Sequence, residues 1–107
     1  MIITVTLNPS LDRTIEVAEL TRGAMVRATA TRLDPGGKGV NVARALAAHQ
    51  IPTCAVVPLG GAEGAQLTEL LEHEGINVCA VPVPGSTRSN VSLVAGDGAI
   101  IAGLTRL

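Results

Sequence analysis

The sequence predicts an α/β fold in which helices flank a parallel sheet and a small β-sheet projects from it. Three observations lead to this prediction. The core segments follow the order strand, helix, strand, helix, strand, which favours a parallel sheet with right-handed crossovers. Four other segments read as strands, and their polar and apolar side chains alternate with a period of two. A glycine-rich segment begins the first helix, where bare backbone lets a ligand approach.

The core elements follow from local patterns. Threonines alternate with apolar side chains over residues 2–7, and Pro9 breaks that strand. Leu67, Leu70 and Leu71 form the apolar stripe of the second helix, which Gly75 ends. The predicted core comprises strands over residues 2–7, 53–57 and 77–81 and helices over residues 37–49 and 63–74.

The remaining strands are interpreted as a lid. A strand pair over residues 13–18 and 25–33 interrupts the connection between the first core strand and its helix, where strands are rare. Strands over residues 87–95 and 99–102, joined by a hairpin signal at Gly96-Asp97-Gly98, are expected to complete a four-stranded sheet. Residues 1–107 would then form part of one domain, with a core at 1–12 and 34–85 and a lid at 13–33 and 86–103.

Composition excludes several classes of protein. The chain has 107 residues, 47% of them apolar, no aromatic residue and a net charge of −1. This argues against a disordered tail and against nucleic-acid binding by charge or base stacking. The sequence shows no apolar run long enough to cross a membrane and no basic, apolar signal peptide at its start. We therefore expect a cytoplasmic protein with neither a nucleic-acid nor a membrane partner.

Two cysteines, Cys54 and Cys79, lie in apolar segments that read as strands. The expected state is a pair of buried free thiols, because such cysteines behave as small apolar side chains. A disulfide or a pair of metal ligands is the alternative.

The glycine-rich segment spans residues 34–46 and is the strongest candidate for a binding site. Lys38 and Asn41 lie three residues apart and share a helix face, beside backbone that carries no Cβ at Gly37. A helix N-terminus favours anions, so the segment is suited to a phosphorylated and hydroxylated ligand. The alternative is that these glycines serve only close packing. The spacing matches neither a Walker A loop nor a dinucleotide-binding fingerprint.

Asp12 follows the first predicted strand, at the edge where open α/β sheets bind ligands. Its carboxylate is therefore a candidate ligand contact. The alternative is a carboxylate that caps a turn.

Four motifs occur in order along the chain: Thr6-Leu7-Asn8-Pro9-Ser10-Leu11-Asp12-Arg13, the segment from Pro35 to Leu46, Leu59-Gly60-Gly61 with Gly64 and Leu67, and Thr87-Arg88-Ser89-Asn90. Together they resemble the PfkB-type branch of the ribokinase-like carbohydrate kinases, nearest to its 1-phosphofructokinase and tagatose-6-phosphate kinase members. The resemblance implies Mg·ATP-dependent transfer of a phosphoryl group to a sugar hydroxyl, here of fructose 1-phosphate, on an α/β core with a β-sheet lid. A tagatose-6-phosphate kinase or a 6-phosphofructokinase is the alternative.

The resemblance implies a role for each matching residue. Asp12 and Asn41 would bind sugar hydroxyls, and Lys38 and Arg88 would hold the phosphate already on the sugar, with help from Arg27 on the lid. Charge-assisted bonds from arginine suit a dianionic phosphate. The complete set of implied substrate-binding residues is Asp12, Arg27, Gly36, Gly37, Lys38, Asn41, Arg88 and Asn90.

The resemblance also implies what this chain lacks. Family members are about three times as long, and the matching part contains neither their catalytic aspartate nor their ATP site. We therefore expect a fragment or truncated reading frame that is inactive alone, with ATP and Mg²⁺ as cofactors of the whole enzyme. A sugar-phosphate-binding or dimerising remnant is the alternative.

The lid is also expected to pair two copies of the chain. Its predicted apolar face includes Ile15, Val17, Val91 and Leu93, and a homodimer would cover that face.

Overall fold

The computed structural model describes residues 1–96 in full and the backbone of residues 100–105. The fold has two sheets and two helices in one chain. Its elements are β1 (Ile2–Val5), β2 (Ser10–Val17), β3 (Ala28–Gly36), α1 (Lys38–Ala48), β4 (Thr53–Leu59), α2 (Gly61–His73), β5 (Asn77–Pro82), β6 (Arg88–Val94) and β7 (Ile100–Thr105).

The first sheet has the order β1-β4-β5, and both strand pairs are parallel. Along the chain, β2, β3 and α1 lie between β1 and β4, and α2 connects β4 to β5. Helix α1 contacts β1 and β4, while α2 contacts β5. The predicted parallel sheet of alternating strands and helices is therefore confirmed.

The hydrophobic core lies between this sheet and its two helices. Every second residue of β4 points into it, which gives that strand an alternation of buried and half-buried side chains. In the absence of aromatic residues the core is filled by small and branched aliphatic side chains. Its buried members are Val40, Ala43, Ala55, Val57, Leu59, Leu67, Leu71 and Ile76.

The opposite face of the parallel sheet is open within the part of the chain that the structure describes. Ile3, Val5 and Val81 are 64%, 60% and 50% exposed on it. The strand register puts Ile3 beside Cys54 and Val5 beside Val56, so this face is a continuous apolar surface. Both predicted helices thus cover one side of the sheet only.

The second sheet, which we call the lid, has the order β3-β2-β6-β7. Strand β2 pairs antiparallel with β3 and parallel with β6, and β6 pairs antiparallel with β7. The expectation that the four remaining strands form one sheet is confirmed. The hairpin turn predicted at Gly96-Asp97-Gly98 involves residues 97–99, which lie outside the described residues.

The lid strands reach further toward the core than the sequence predicted. Strand β2 begins at Ser10 and β3 continues to Gly36, because these two residues pair with each other at the end of the ladder. Asp12 therefore lies on a lid strand and not in the loop after β1. Pro35 fits within β3 because β3 is an edge strand, where a missing N–H need not break the ladder.

Two predictions about burial were wrong. Cys54 is half-buried and Cys79 is exposed, because both side chains lie on the open face of the parallel sheet. Val17 is only 3% exposed, so it is already covered within the chain and is not part of an open lid face. Ile15, Val91 and Leu93 are half-buried.

Within residues 1–96 and 100–105, neither helix is long and apolar enough to cross a bilayer.

Candidate functional site

A cavity of about 550 Å³ lies where the lid meets the carboxyl end of β1 and the start of α1. That volume is within the range of small-molecule binding sites. Four parts of the chain form it: the end of β1 with the turn after it, the first residues of β2, the N-terminus of α1 and the first residues of β6. The lining residues are Val5, Thr6, Leu7, Asn8, Ser10, Asp12, Gly37, Lys38, Gly39, Asn41, Arg88 and Asn90.

The cavity brings together most of the residues that the sequence pointed to. Gly36 lies immediately behind the lining, and Arg27 lies outside it. The predicted residues that do line the cavity are Asp12, Gly37, Lys38, Asn41, Arg88 and Asn90.

Asp12 is held in place by two hydrogen bonds to one carboxylate oxygen. Ser10 Oγ donates to Asp12 Oδ1 at 2.7 Å, and Asn90 Nδ2 donates to the same oxygen at 2.8 Å. The parallel register makes Asp12 and Asn90 neighbours on β2 and β6. Because Asp12 lies within β2 and accepts one bond from its own strand and one from β6, the interpretation as a turn cap is not supported. Oδ2 accepts no hydrogen bond from the described residues and can accept one from a ligand.

Arg88 lies beside Asp12 and Asn90 and is oriented by the turn after β1. Its Nη2 and Nε donate to the Asn8 carbonyl at 3.2 and 3.4 Å. Its Nη1 donates to Asn90 Oδ1 at 3.4 Å. Asn90 therefore connects the guanidinium to the Asp12 carboxylate, and the three side chains form one row across the first residues of β2 and β6.

The N-terminus of α1 forms the opposite wall. Its cap residue, Gly37, has φ 121° and ψ 149°, no side chain caps the helix, and its first turn has no acidic residue. Lys38 is exposed and forms no hydrogen bond or salt bridge with the residues that the structure describes. The free N–H groups of the first turn and the Lys38 ammonium together make this wall favourable for an anion.

The glycines of this segment serve packing as well as access. A Cβ at Gly39 would meet Thr6 Oγ1 and the Val5 carbonyl, so glycine lets α1 lie against β1. A Cβ at Gly36 would meet the Asp12 carboxylate and Ser10 Oγ. Close packing, the alternative raised by the sequence, therefore explains the glycines at positions 36 and 39. Glycine is favoured at position 37 because the backbone there has a positive φ.

A second glycine cluster positions Arg88 from outside the cavity. Gly60 N donates to Thr87 Oγ1 at 3.1 Å, and Thr87 N donates to the Gly60 carbonyl at 3.0 Å. A Cβ at Gly60 would collide with the Gly85 carbonyl. These contacts fasten the residue before Arg88 to the carboxyl end of β4, so the motif at 59–64 supports the site without touching the ligand space.

Sequence reasoning missed two groups that act on the site. Ser10 is 1% exposed and orients Asp12, and the Asn8 carbonyl orients Arg88. The period of two between Ser10 and Asp12 was the available signal for the first. No local signal pointed to a carbonyl whose partner lies 80 residues away.

Arg44 was also missed, although it lies in the glycine-rich motif. Its Nη1 donates to the Pro35 carbonyl at 3.3 Å, and its Nε donates to both carboxylate oxygens of Glu74 at 3.0 Å. It therefore joins the segment before α1 to the end of α2 and holds the helix start in place.

The expectation that Arg27 helps to hold a phosphate in this cavity is not met within one chain. Arg27 precedes β3 at the end of the lid away from Gly36, and its side chain is exposed. The eight steps of strand from Ala28 to Gly36 extend about 26 Å, too far for an arginine side chain to bridge.

The site's charges suit a phosphate better than a metal ion. Asp12, Lys38 and Arg88 are the charged side chains that line it. Across the described part of the chain, His, Cys, Asp and Glu side chains form no group of three or more that could hold a metal ion.

Comparison with known proteins agrees with this geometry. A model of the pfkB family carbohydrate kinases matches residues 5–102. The chain is 40% identical over 103 residues to the 1-phosphofructokinase of Bacillus subtilis (strain 168), covering 96% of this chain and 34% of the relative. It is 40% identical over 90 residues to the ATP-dependent 6-phosphofructokinase isozyme 2 of Escherichia coli (strain K12), covering 84% and 29%.

A solved structure shares the fold. The phosphofructokinase-2 from Escherichia coli in complex with fructose-6-phosphate superposes with a TM-score of 0.82 at 34% identity, over 99% of this chain and 34% of that one. The chain thus spans about a third of the length of the curated relatives that it matches. It belongs to the pfkB family of carbohydrate kinases and has the ribokinase-like α/β fold.

Proposed function

We propose that this chain is the sugar-phosphate-binding and lid portion of an ATP-dependent kinase that phosphorylates fructose 1-phosphate. The observation that carries the proposal is the hydrogen-bonded row of Asp12, Asn90 and Arg88 opposite the uncapped α1 N-terminus with Lys38. Acceptors and donors for sugar hydroxyls and two cations for a phosphate line one cavity.

The phosphate of the ligand is proposed to lie between Arg88 and Lys38. Arg88 is anchored through the Asn8 carbonyl, so its guanidinium is oriented before the ligand arrives. Lys38 and the first N–H groups of α1 supply a second positive surface. A neutral sugar would leave these charges uncompensated, so the site should prefer a phosphorylated ligand.

The sugar hydroxyls are proposed to contact Asp12 Oδ2 and the Asn41 side-chain amide. Asp12 Oδ1 is already occupied by Ser10 and Asn90, which fixes the direction of the remaining oxygen. An acceptor with a fixed direction discriminates between hydroxyl configurations, because a buried polar group that is left without a hydrogen bond costs free energy. Gly36 would contribute by leaving room for the carboxylate.

Fructose 6-phosphate is the second candidate ligand. One relative is named an ATP-dependent 6-phosphofructokinase and one solved neighbour is a complex with fructose-6-phosphate. Both ligands carry one phosphate and several hydroxyls, so the cavity described here is compatible with either.

Catalysis by this chain alone is not part of the proposal. The cavity contains one carboxylate, and it is engaged with Ser10 and Asn90. The Mg·ATP site is not assigned to this cavity, whose charged lining side chains are one carboxylate and two cations. ATP and Mg²⁺ are proposed as cofactors of a longer protein that contains this portion.

A homodimer formed through the lid is a further part of this proposal. Ile15 and Leu93 are paired across β2 and β6, and Val91 lies on the same face. All three are half-buried, which leaves apolar area for a second copy to cover.

Calorimetric titration tests the binding proposal. We expect fructose 1-phosphate or fructose 6-phosphate to bind and unphosphorylated fructose to bind at least about tenfold more weakly. Arg88→Gln should weaken binding of the phosphorylated sugars and leave the weak binding of fructose nearly unchanged. Arg32→Gln is the matched control, since Arg32 lies on the same sheet outside the cavity.

Equal affinity for fructose and its phosphates, or equal effects of the two arginine variants, would overturn the proposed phosphate site. A coupled assay with fructose 1-phosphate, ATP and Mg²⁺ tests the second point. Turnover by the 107-residue chain would contradict the statement that it needs a longer protein for catalysis.

A further inference from the structure

Two thiols meet on the open face of the parallel sheet. Cys54 lies on β4 and Cys79 on β5, and their Sγ atoms are 3.1 Å apart. Cys79 pairs with Val56 in the register, so the two cysteines are diagonal neighbours on adjacent parallel strands. Cys79 is exposed and Cys54 half-buried, and both are free thiols.

We propose that Cys54 and Cys79 form a redox-sensitive dithiol that closes reversibly to an intramolecular disulfide by exchange with a small disulfide such as oxidised glutathione. A disulfide bond is about 2.05 Å long, so the sulfurs must approach each other by about 1 Å. Side-chain rotation and a small shift of the strands can supply this movement.

The exposure of Cys79 keeps the bond accessible to small thiols. Exposed disulfides are among the readily reduced ones. We therefore expect the pair to respond to the surrounding thiol–disulfide balance.

The two sulfurs have different roles in the exchange. Exposed Cys79 attacks one sulfur of oxidised glutathione as the thiolate, releases one glutathione thiolate and becomes a mixed disulfide. Cys54 then attacks the Cys79 sulfur and releases the second glutathione. Each protein thiol gives its proton to a departing glutathione thiolate, and two electrons pass from the protein to glutathione.

The environment of Cys54 fits the second role. Its hydrogen bond with Cys79 raises the pKa of the Cys54 thiol, so the thiol form is favoured until Cys79 has reacted. Formation of the mixed disulfide removes that partner and leaves Cys54 next to the sulfur that it must attack.

A metal site is the competing use of two adjacent thiols. Structural metal ions in proteins need four ligands in most cases, drawn from Cys, His and carboxylates. In the described residues no third such side chain joins Cys54 and Cys79. Redox chemistry is therefore the better assignment.

Mass spectrometry after equilibration in glutathione buffers of increasing oxidised fraction tests the proposal. We expect the chain to lose two hydrogen masses while both thiols disappear together, and dithiothreitol to restore them. The same chain unfolded in urea should need a glutathione ratio at least about tenfold more oxidising, because folding holds the sulfurs together.

Cys54→Ser and Cys79→Ser are the variants to compare, with folding checked by circular dichroism. Each should take up a single glutathione and form no internal bond, and Cys79→Ser should react more slowly because its remaining thiol is less exposed. Stable glutathione adducts on both cysteines of the unaltered chain, disulfide-linked dimers, or equal behaviour of folded and unfolded chains would overturn the proposal.

Discussion

Asp12 shows how neighbouring side chains fix the orientation of one residue. Ser10 and Asn90 both donate to Oδ1, and Oδ2, which accepts no hydrogen bond from the described residues, lies beside Gly36. The carboxylate thus has a defined direction in the absence of ligand, and binding need not order it.

Asp12→Asn is the direct test of that role. The asparagine amide keeps one oxygen that can accept from Ser10 and Asn90. Its NH2 group then stands where the second carboxylate oxygen was, so that acceptor is lost. We expect the affinity for fructose 1-phosphate to fall about 10- to 100-fold, corresponding to loss of a hydrogen bond to a charged group, about 1.5–3 kcal/mol. Calorimetric titration measures the change.

Asp34→Asn is the matched control for Asp12→Asn. Asp34 pairs with Asp12 across β2 and β3, but its carboxylate forms an exposed salt bridge with Arg32 at 2.7 Å and does not line the cavity. Its substitution should leave the affinity unchanged within about twofold, since exposed ion pairs contribute little. Comparable losses in both variants would contradict a specific role for Asp12.

Several residue roles could be predicted from the sequence and others could not. Lys38 and Asn41 were found because a helix fixes which side chains share a face. The Asn8 carbonyl was missed because its partner, Arg88, lies 80 residues away, whereas the role of Ser10 could have been found from its spacing of two from Asp12. Arg27 was assigned to the cavity by resemblance, and the length of β3 carries it away from that position.

At the scale of elements, the connection from β5 to β6 is what puts Arg88 in the cavity. Thr87 is fastened to Gly60 by two hydrogen bonds, one through its hydroxyl and one through its backbone. The start of β6 is thereby fixed to the carboxyl end of β4, and the parallel pairing with β2 begins at the next residue.

Thr87→Val removes the hydroxyl that accepts the hydrogen bond from Gly60 N and so tests this contact. Valine has nearly the same shape but cannot accept the Gly60 N–H, and Thr87 is only 8% exposed. We expect the free energy of unfolding to fall by about 1–3 kcal/mol, the cost of an unsatisfied buried donor. Urea denaturation followed by circular dichroism measures it.

Thr29→Val provides the comparison for Thr87→Val. The Thr29 hydroxyl also donates a hydrogen bond, to the Glu16 carbonyl at 3.2 Å. This bond is exposed, so in the valine variant water can donate to the carbonyl in place of the hydroxyl. Its loss should stay within about 0.5 kcal/mol. An equal effect of the two substitutions would show that the Gly60 contact is unimportant for stability.

The start of α1 gives a second prediction for elements. Gly39→Ala inserts a Cβ against Thr6 Oγ1 and the Val5 carbonyl, so α1 must move away from β1. We expect a loss of about 2–3 kcal/mol in the free energy of unfolding from overpacking, despite the better helix propensity of alanine.

Gly75→Ala separates this packing effect from the general cost of replacing glycine. Gly75 has φ +79° and nothing within 4 Å of an added Cβ, so only backbone strain of about 1 kcal/mol is expected. Denaturation curves that show Gly39→Ala to be no more harmful than Gly75→Ala would contradict close packing at the helix start.

At the scale of the whole molecule, the described residues present two apolar surfaces. One is the open face of the parallel sheet, where Ile3, Val5 and Val81 are at least half exposed. The other is the lid face with Ile15, Val91 and Leu93. The proposed homodimer concerns the second surface only.

Leu93→Asp tests the lid dimer. A charge on the lid's apolar face should be incompatible with burial against a second copy, so the variant should be a monomer at concentrations where the unaltered chain is a dimer. Light scattering after size-exclusion chromatography gives both masses. Ser92→Asp is the control, because Ser92 points to the other face of the same strand and does not line the cavity.

A monomeric unaltered chain across the accessible concentration range would contradict the lid dimer, as would equal dissociation by both aspartate variants. Comparison of far-ultraviolet circular dichroism spectra before scattering verifies that each variant is folded.

The sequence by itself determined the helices, the order of the strands and the family. Periods of 3.6 and 2 are local properties, and the four motifs lie in contiguous segments that can be compared directly. Several strand boundaries differ from the prediction, and near the lid the pairing of Ser10 with Gly36 lengthens both strands beyond their local signals.

Only the tertiary structure decided which side chains meet. Asp12 and Asn90 are separated by 78 residues and Cys54 and Cys79 by 25, yet each pair is in contact. Such contacts depend on which strands become neighbours and in what register, and a shift by one residue would turn every side chain to the opposite face. Local propensity does not contain that information, since it arises from the packing of distant segments.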